Sequence, residues 1–243
     1  MFINHNRNEP HVPDDDPTPS IFDRTYLTGV DGVTTLVLVR HGQQHFPDRG
    51  TSNAVDWIDP PLSALGRKQA TAVGRHLSTE SIDTVYSSNL RRAADTGRAI
   101  AKHHDIEPIV LTELREIEIF RDIGERRPQD VIGDLVLRGA QERFARDRRW
   151  DAYPLGERSH EFLDRVIAAL EGILAAHVGE TVTVACHGGV INAYLAWVLG
   201  LDEDMFFRPA HASVHTVLVR ESRRVILGLN DVSHLRKRDL LTF

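Results

Sequence analysis

Two apolar runs in this chain each end in a histidine that is followed by a glycine. The first closes as "VLVRHG", with Arg40 next to His41, and the later one closes as "VACHGG", with His187 followed by Gly188. An imidazole titrates near neutral pH, and a guanidinium offers paired donors to an anion. A glycine lets the backbone turn sharply and brings amide N–H groups close to a ligand. These residue types predict one anion-binding site, unless the two runs are unrelated strand ends.

Two further segments carry charges that suit the same chemistry. In "SSNLRRAADT" the arginines fall near the start of a predicted helix, where backbone donors and the helix dipole favour an anion. Arg91 and Arg92 differ by about 100° around the helix axis, so only one of them can easily face the site. In "LTELREIEIF" Glu116 and Glu118 share one face if the segment is extended, and both are candidate acids.

The elements that must position these residues alternate between strands and helices. Residues 36–39 are apolar and half of them are β-branched, which predicts a strand buried on both faces. Apolar residues at helical spacing follow Ser63 and Ser159, which are predicted N-caps, and Gly200 is a predicted helix end. This alternation predicts an α/β fold, a three-layer α/β/α sandwich with a mainly parallel central sheet. Ligands bind outside the carboxyl ends of strands in such sheets, so the two histidines are expected at one edge.

The chain divides into a short arm and one large domain. Residues 1–30 are polar and rich in proline and aspartate, so we expect a flexible N-terminal arm. Residues 31–243 are predicted to form a single domain, in which an arginine-rich helical insert around residues 120–158 caps the site. With 41% hydrophobic residues among 243, the chain can bury a core of this size.

Composition argues against several classes of protein. The formal net charge is -6, from 29 basic and 35 acidic residues, which argues against a nucleic-acid partner. No apolar run approaches the roughly 18 residues of a membrane span, and the N-terminus lacks the apolar segment of a signal peptide, so no membrane association is expected. Cys186 is the only cysteine. No disulfide can therefore form within the chain, and we predict a reducing, cytoplasmic setting.

In order and spacing, these motifs resemble those of the histidine phosphatase superfamily, which contains the cofactor-dependent phosphoglycerate mutases and many phosphatases. The matching run is a strand with Arg-His-Gly, then Ser-x-Leu-x-Arg-Ala, then Leu-Arg-Glu, then Cys-His-Gly-Gly. The resemblance spans about residues 34–235. It implies a phosphoglycerate mutase-like fold for the predicted domain.

The resemblance also implies a mechanism. His41 would attack phosphorus and become a phosphohistidine, which water then hydrolyses, while Glu116 would protonate the leaving alkoxide. The arginines and a protonated His187 would stabilise charge on the phosphoryl group. No metal and no cofactor is implied, the partner is a phosphorylated small molecule, and a homodimer is compatible with the sequence. The implied catalytic residues are His41, Arg40, Arg92, Glu116 and His187, and the implied substrate contacts are Arg40, Gln44, Asn53, Arg92 and Gly188.

The chain departs from the family pattern at positions near the phosphate and the acid. Gln44 and Pro47 stand where members usually have Thr or Ser and Asn, and Asn53 is the expected substitute for the missing Asn. Phe120 stands where many members have a glycine. One or two arginines of the insert are expected to contact a second anionic group of the substrate. The candidates are Arg126, Arg127, Arg138, Arg143, Arg146, Arg148 and Arg149.

We therefore predict a phosphatase that hydrolyses a phosphate monoester through His41. A cofactor-dependent phosphoglycerate mutase-type phosphotransferase is one alternative, although the expected Glu-Arg-His-Tyr-Gly run and a longer acid-to-histidine segment are missing. A catalytically silent member that binds phosphorylated ligands is the other alternative, and the departures at Gln44 and Pro47 keep it open.

Overall fold

A computed structural model describes residues 18–48, 51–236 and 239–243 of the chain. Its centre is a six-stranded sheet in the order β3-β2-β4-β1-β5-β6. The strands are β1 Thr34–Arg40, β2 Thr84–Ser88, β3 Ile109–Leu111, β4 Thr181–Cys186, β5 Val214–Arg220 and β6 Arg223–Asp231. The first four strands of the order run parallel, and β5 is antiparallel to both of its neighbours. The predicted mainly parallel sheet is confirmed.

Helices cover both faces of this sheet. They are α1 Ile21–Tyr26, α2 Ala54–Ile58, α3 Ala64–Leu77, α4 Arg91–Ala101, α5 Pro128–Ile132, α6 Asp134–Asp147, α7 Ser159–Ala176, α8 Gly188–Leu199 and α9 Ser233–Arg236. On one face Leu36 and Leu38 of β1 pack in a core with α7 and α8. On the other face Val37 and Val39 pack in a core with α3 and α4. The side chains of a strand alternate between faces, so β1 is buried on both sides, and the three-layer α/β/α prediction is confirmed.

The predicted arm lies partly outside the described residues, since residues 1–17 are not among them. Within the remainder, α1 begins after Ser20, whose hydroxyl oxygen accepts a hydrogen bond from the Asp23 amide. Arg223 at the start of β6 donates to the Arg24 and Thr25 carbonyls. This contact holds α1 at the end of the sheet where β1 begins, because β1, β5 and β6 align there.

Three predicted helix boundaries can be compared with the structure. Ser63 caps α3, because its hydroxyl oxygen accepts from the Gly66 amide at 3.0 Å, and Gly200 ends α8 with φ 68°. The predicted cap at Ser159 is wrong, because Ser159 is the first helical residue of α7. Its hydroxyl donates instead to Asp204, across a loop that the sequence pattern does not connect to it. Among the described residues, no helix is both long and apolar enough to cross a membrane.

Candidate active site

The strand register brings the two histidines together. Strands β1 and β4 are paired in parallel, with Arg40 opposite Cys186, so the next residue of each strand emerges at the same edge. The ring centroids of His41 and His187 lie 5.1 Å apart, and only 3% and 0% of these residues are exposed. Two residues that are far apart in the chain therefore form one buried pair at the carboxyl end of the sheet.

His41 presents a nitrogen lone pair at this edge. Its Nδ1 lies 2.7 Å from the Gly42 carbonyl oxygen, which can only accept, so Nδ1 carries the ring proton. Its Nε2 therefore accepts from Nε of Arg92, at 3.2 Å. Burial, followed by the charges of Arg92, His187 and Arg40, holds the pKa of His41 well below its usual value. The imidazole is thus neutral and able to act as a nucleophile near neutral pH.

His187 lies beside it and is held by one hydrogen bond. Its Nε2 lies 2.9 Å from the Ser88 hydroxyl, and its buried Nδ1 has no hydrogen-bond partner in the described part of the chain. Burial, followed by the charges of Arg92 and Arg40, lowers the pKa of His187 well below its usual value. His187 is therefore neutral in the ligand-free site, and it can become a cation only when a bound anion compensates the cost of charging it.

Two buried guanidinium groups supply the positive charge. Arg40, the last residue of β1, donates to the Pro209 carbonyl, and its Nε is buried with no partner among the described residues. Burial lowers the pKa of Arg40 to about 10, so it stays charged at neutral pH. Arg92 on α4 is 4% exposed and donates to the Ile58 carbonyl as well as to His41. The neighbouring Arg91 points away and pairs with Asp59.

The two candidate acids have different surroundings. The Glu116 carboxylate accepts a hydrogen bond from the Gly189 amide, near the start of α8, at 3.1 Å. It accepts a second one from the Ile117 amide, also at 3.1 Å. A Cβ atom on Gly189 would lie 2.3 Å from Glu116 Oε1, so this approach requires a glycine. Glu118 instead lies 3.4 Å from Arg115 and 3.6 Å from Arg121. Glu116 therefore lies against the helix that follows His187, whereas Glu118 belongs to an ion-pair network.

Arg40, His41, Arg92 and Glu116 line a cavity of about 390 Å³, and His187 packs against His41 without being among the described lining residues. Its lining consists of Arg40, His41, Gln44, Trp57, Ile58, Asn89, Leu90, Arg92, Arg115, Glu116, Ile117, Glu118, Ile119, Phe120 and Trp150. Gln44 is thus at the cavity, as predicted from its position in the motif. Asn53 is not in the lining, because its side-chain oxygen caps α2 by accepting from the Asp56 amide. Gly188 borders the site through Arg40, whose Nε would lie 3.6 Å from a Cβ atom at that position.

The seven candidate arginines of the insert can be placed in the described structure, and their contact with a second anionic group stays a prediction. None of the seven lines the cavity. Several pair with acidic residues nearby instead: Arg127 with Asp130, Arg146 with Asp147, and Arg149 with Asp202 and Asp204. These three arginines belong to the solvated surface of the insert.

Sequence reasoning missed the aromatic lining and the partner of His187. Trp57, Phe120 and Trp150 come from three separate segments and share no spacing, so no sequence pattern indicates that they meet. Ser88 belongs to the pair of serines at the start of "SSNLRRAADT", just before α4. This position near the predicted anion site is the sequence feature that could have indicated its contact with His187. Cys186 is buried within β4, and burial raises the pKa of its thiol, which fits an inert packing role.

Comparison with known proteins agrees with this geometry. A family model described as "Histidine phosphatase superfamily (branch 1)" matches residues 36–232. The chain is 33% identical over 209 residues to phosphoserine phosphatase 1 of Hydrogenobacter thermophilus, a match that covers 82% of this chain and 93% of that one.

Two further matches extend the comparison. The chain is 33% identical over 212 residues to a metal-independent phosphoserine phosphatase of Arabidopsis thaliana, and 84% of each chain is covered. The solved structure of a mycobacterial glucosyl-3-phosphoglycerate phosphatase has a TM-score of 0.67 at 25% identity, with 82% of this chain and 99% of that chain covered. Other matches are named as phosphoglycerate mutases. From its motifs, its sheet edge and these matches, the chain belongs to the histidine phosphatase superfamily.

Proposed function

We propose that this protein is a phosphatase that hydrolyses phosphate monoesters of small organic molecules, with His41 as the nucleophile. The observation that carries the proposal is that Arg40, His41 and Arg92 line one cavity while His187 lies directly against His41, with ring centroids 5.1 Å apart. We call this set the phosphate subsite: Arg40, His41, Arg92 and His187. The names of the similar phosphatases support the same reaction class.

The first step transfers the phosphoryl group to the protein. A phosphate dianion in the subsite is bound by Arg40 and Arg92, and its charge favours protonation of His187. His41 Nε2 attacks phosphorus, the N–P bond forms, and the bond from phosphorus to the ester oxygen breaks. Glu116, entering the step protonated, gives its proton to the leaving oxygen, so the alcohol departs neutral.

The second step restores the enzyme. The Glu116 carboxylate removes a proton from a water molecule that attacks phosphorus, and the N–P bond of phosphohistidine breaks. Inorganic phosphate leaves, His41 regains its neutral ring and Glu116 regains its proton. Glu116 suits both roles better than Glu118, because the hydrogen bonds to its carboxylate from described residues come from backbone amides, whereas Arg115 and Arg121 contact the carboxylate of Glu118.

Two alternatives fit the cavity less well. A phosphoglycerate mutase-type reaction needs a second anionic group in the cavity, and the only other cation in the described lining, Arg115, lies against Glu118. A silent phosphate binder would not require a neutral His41 with Nε2 free of a proton. The cytoplasmic location, the homodimer and the lack of a nucleic-acid partner remain predictions from the sequence.

The test combines a variant with the trapping of an intermediate. His41→Ala should lower kcat/KM for a phosphate monoester by at least about 10⁴-fold, because the nucleophile is lost, with an unchanged circular dichroism spectrum. The exposed His103→Ala is the matched control and should keep full activity. Rapid quenching of the wild type should trap protein-bound phosphate that is labile in acid and stable in alkali. Full activity of His41→Ala would overturn the proposal.

A further inference from the structure

The cavity has a charged end and an apolar side. The phosphate subsite accounts for two of its three arginines and its one histidine. Seven of the fifteen lining residues are hydrophobic, and three of these seven are aromatic. We call them the apolar wall: Trp57, Ile58, Leu90, Ile117, Ile119, Phe120 and Trp150.

Among the described residues, the apolar wall has no cation beside it that lacks a carboxylate partner. In that described lining, Arg115 is the one arginine outside the phosphate subsite, and its Nε lies 3.4 Å from the Glu118 carboxylate. The described lining contains no arginine of the insert, so this holds for the whole described part of the cavity. A carboxylate on the leaving group would therefore lose hydration without gaining an unpaired cation.

Trp150, one member of the apolar wall, is held in place by its own contacts before a substrate binds. The Trp150 amide donates to Asp204 at 2.7 Å, and its ring stacks on Phe144 with centroids 4.3 Å apart. Leu90 and Ile117 are buried, whereas the three aromatic residues are only half-buried and keep apolar surface open to the cavity. A preformed apolar surface next to a few fixed polar groups is typical of a small-molecule site.

We infer that the alcohol part of the substrate is apolar and ring- or hydrocarbon-bearing, and that it carries no carboxylate. The inference rests on the proposed function and names the substrate class of that site. The phosphate would occupy the phosphate subsite while the hydrophobic alcohol lies against the apolar wall. Removing apolar surface of both partners from water then favours binding of this class.

Two esters that share a leaving-group chain test the inference. 2-Phenylethyl phosphate and 3-phosphooxypropanoate are both primary alkyl phosphates, and they differ in carrying a phenyl ring or a carboxylate on the same two carbons. Because their ester chemistry is alike, a difference in kcat/KM reports contacts beyond the phosphate. We expect kcat/KM to be at least about tenfold higher for the phenyl ester.

Variants then locate the source of the preference. Phe120→Ala and Trp57→Ala should lower kcat/KM for the phenyl ester about tenfold more than for the carboxylated ester. Phe22→Ala is the matched control, because Phe22 is an exposed aromatic residue on α1 at the opposite end of the sheet, and the ratio should not change. Glu118→Gln should release Arg115 and raise kcat/KM for the carboxylated ester relative to the phenyl ester.

The outcomes separate this inference from the proposed function. Equal or higher kcat/KM for the carboxylated ester in the wild type would overturn the inference and leave a phosphatase. Equal losses for both esters in Phe120→Ala and Trp57→Ala, with native circular dichroism spectra, would overturn the role of the apolar wall. Hydrolysis of neither ester above the rate of His41→Ala would overturn the proposed function, and the inference with it.

Discussion

The phosphate subsite and the apolar wall share one cavity, yet they are built from different kinds of structure. His41 and His187 directly follow two paired central strands, and both are almost completely buried. The apolar wall takes Trp57 from a short helix, Phe120 from a loop and Trp150 from the insert, and all three are half-buried. Strand register fixes the two histidines of the phosphate subsite. The apolar wall depends instead on the segments that connect the strands.

This difference separates the reaction from the choice of substrate. A paired strand cannot shift without breaking its row of hydrogen bonds, so the positions of nucleophile and cations are determined by the core. Loops and inserts can change sequence without disturbing that core, which suits them to recognise the variable part of a substrate. If the two regions are separate, a change in the phosphate subsite should lower the reaction rate for every ester. A change in the apolar wall should alter the preference between esters.

After the loss of the nucleophile in His41→Ala, the largest expected effect comes from an arginine of the phosphate subsite. Arg92→Ala should lower kcat/KM by about 10²- to 10³-fold, because a preorganised donor to the phosphoryl group is lost. The loss should be equal for 2-phenylethyl phosphate and 3-phosphooxypropanoate, since both present the same phosphate. Arg91→Ala, the adjacent and exposed arginine that pairs with Asp59, should stay within about threefold of wild type. Steady-state kinetics on both esters measures this. Unequal losses of kcat/KM in Arg92→Ala would contradict the separation of the two regions.

The next effect depends on the leaving group. Glu116→Gln should lower kcat/KM for 2-phenylethyl phosphate by about 10²-fold, because the alkoxide no longer receives a proton. For 4-nitrophenyl phosphate the loss should be less than about tenfold, since that anion leaves without one. The parameter kcat/KM reports steps up to phosphoryl transfer, so water attack does not obscure the comparison. If Glu118→Gln shows this dependence and Glu116→Gln does not, the assignment of the acid is wrong.

A third effect concerns stability and pH. Burial holds the pKa values of His41 and His187 well below 6.5, and it lowers those of His211 and His215 to about 3. Below about pH 6.5 the unfolded chain binds protons that the folded protein does not, so the free energy of unfolding falls as pH falls.

The expected slope is at most about 1.4 kcal/mol per pH unit for each of these histidines. The insert contains no histidine, so this pH dependence of the free energy of unfolding comes from outside the insert. Urea unfolding at several pH values between about 7 and 5 measures it. His215→Gln should flatten the slope, and a free energy of unfolding that is constant over this range would contradict the burial of these rings as neutral groups.

The smallest effect should come from the anchor of the apolar wall. Asp204 accepts from the Trp150 amide and from the Ser159 hydroxyl, so Asp204→Ala should loosen Trp150. We expect KM for 2-phenylethyl phosphate to rise by about three- to tenfold with little change in kcat, as for a loss of uniform binding. Asp202→Ala, at a carboxylate that is 97% exposed, is the matched control and should change neither parameter. A fall in kcat for Asp204→Ala would show that the two regions are coupled.

The same division explains what could be predicted from the sequence. The strands, the pair of His41 and His187 and the buried Arg92 follow local patterns, and parallel strands then bring their ends together. The roles of Glu116 and Glu118 could not be separated, because they depend on where α8 begins relative to a distant loop. Asn53 caps α2, and a helix cap and a substrate contact require the same side-chain chemistry, so the residue type alone does not distinguish the two roles. The aromatic lining had no signal, since its members meet only in the folded chain.

The contact between Glu116 and Gly189 has a consequence for how this scaffold can diversify. Glu116, the proposed proton donor, lies just before the insert, and its carboxylate accepts a hydrogen bond from the helix that follows His187. Replacing only the insert, around residues 120–158, with the corresponding segment of a relative should therefore leave Glu116 in position. Chimeric proteins that keep Glu116 and Gly189 should retain turnover while acquiring the substrate range of the donated segment.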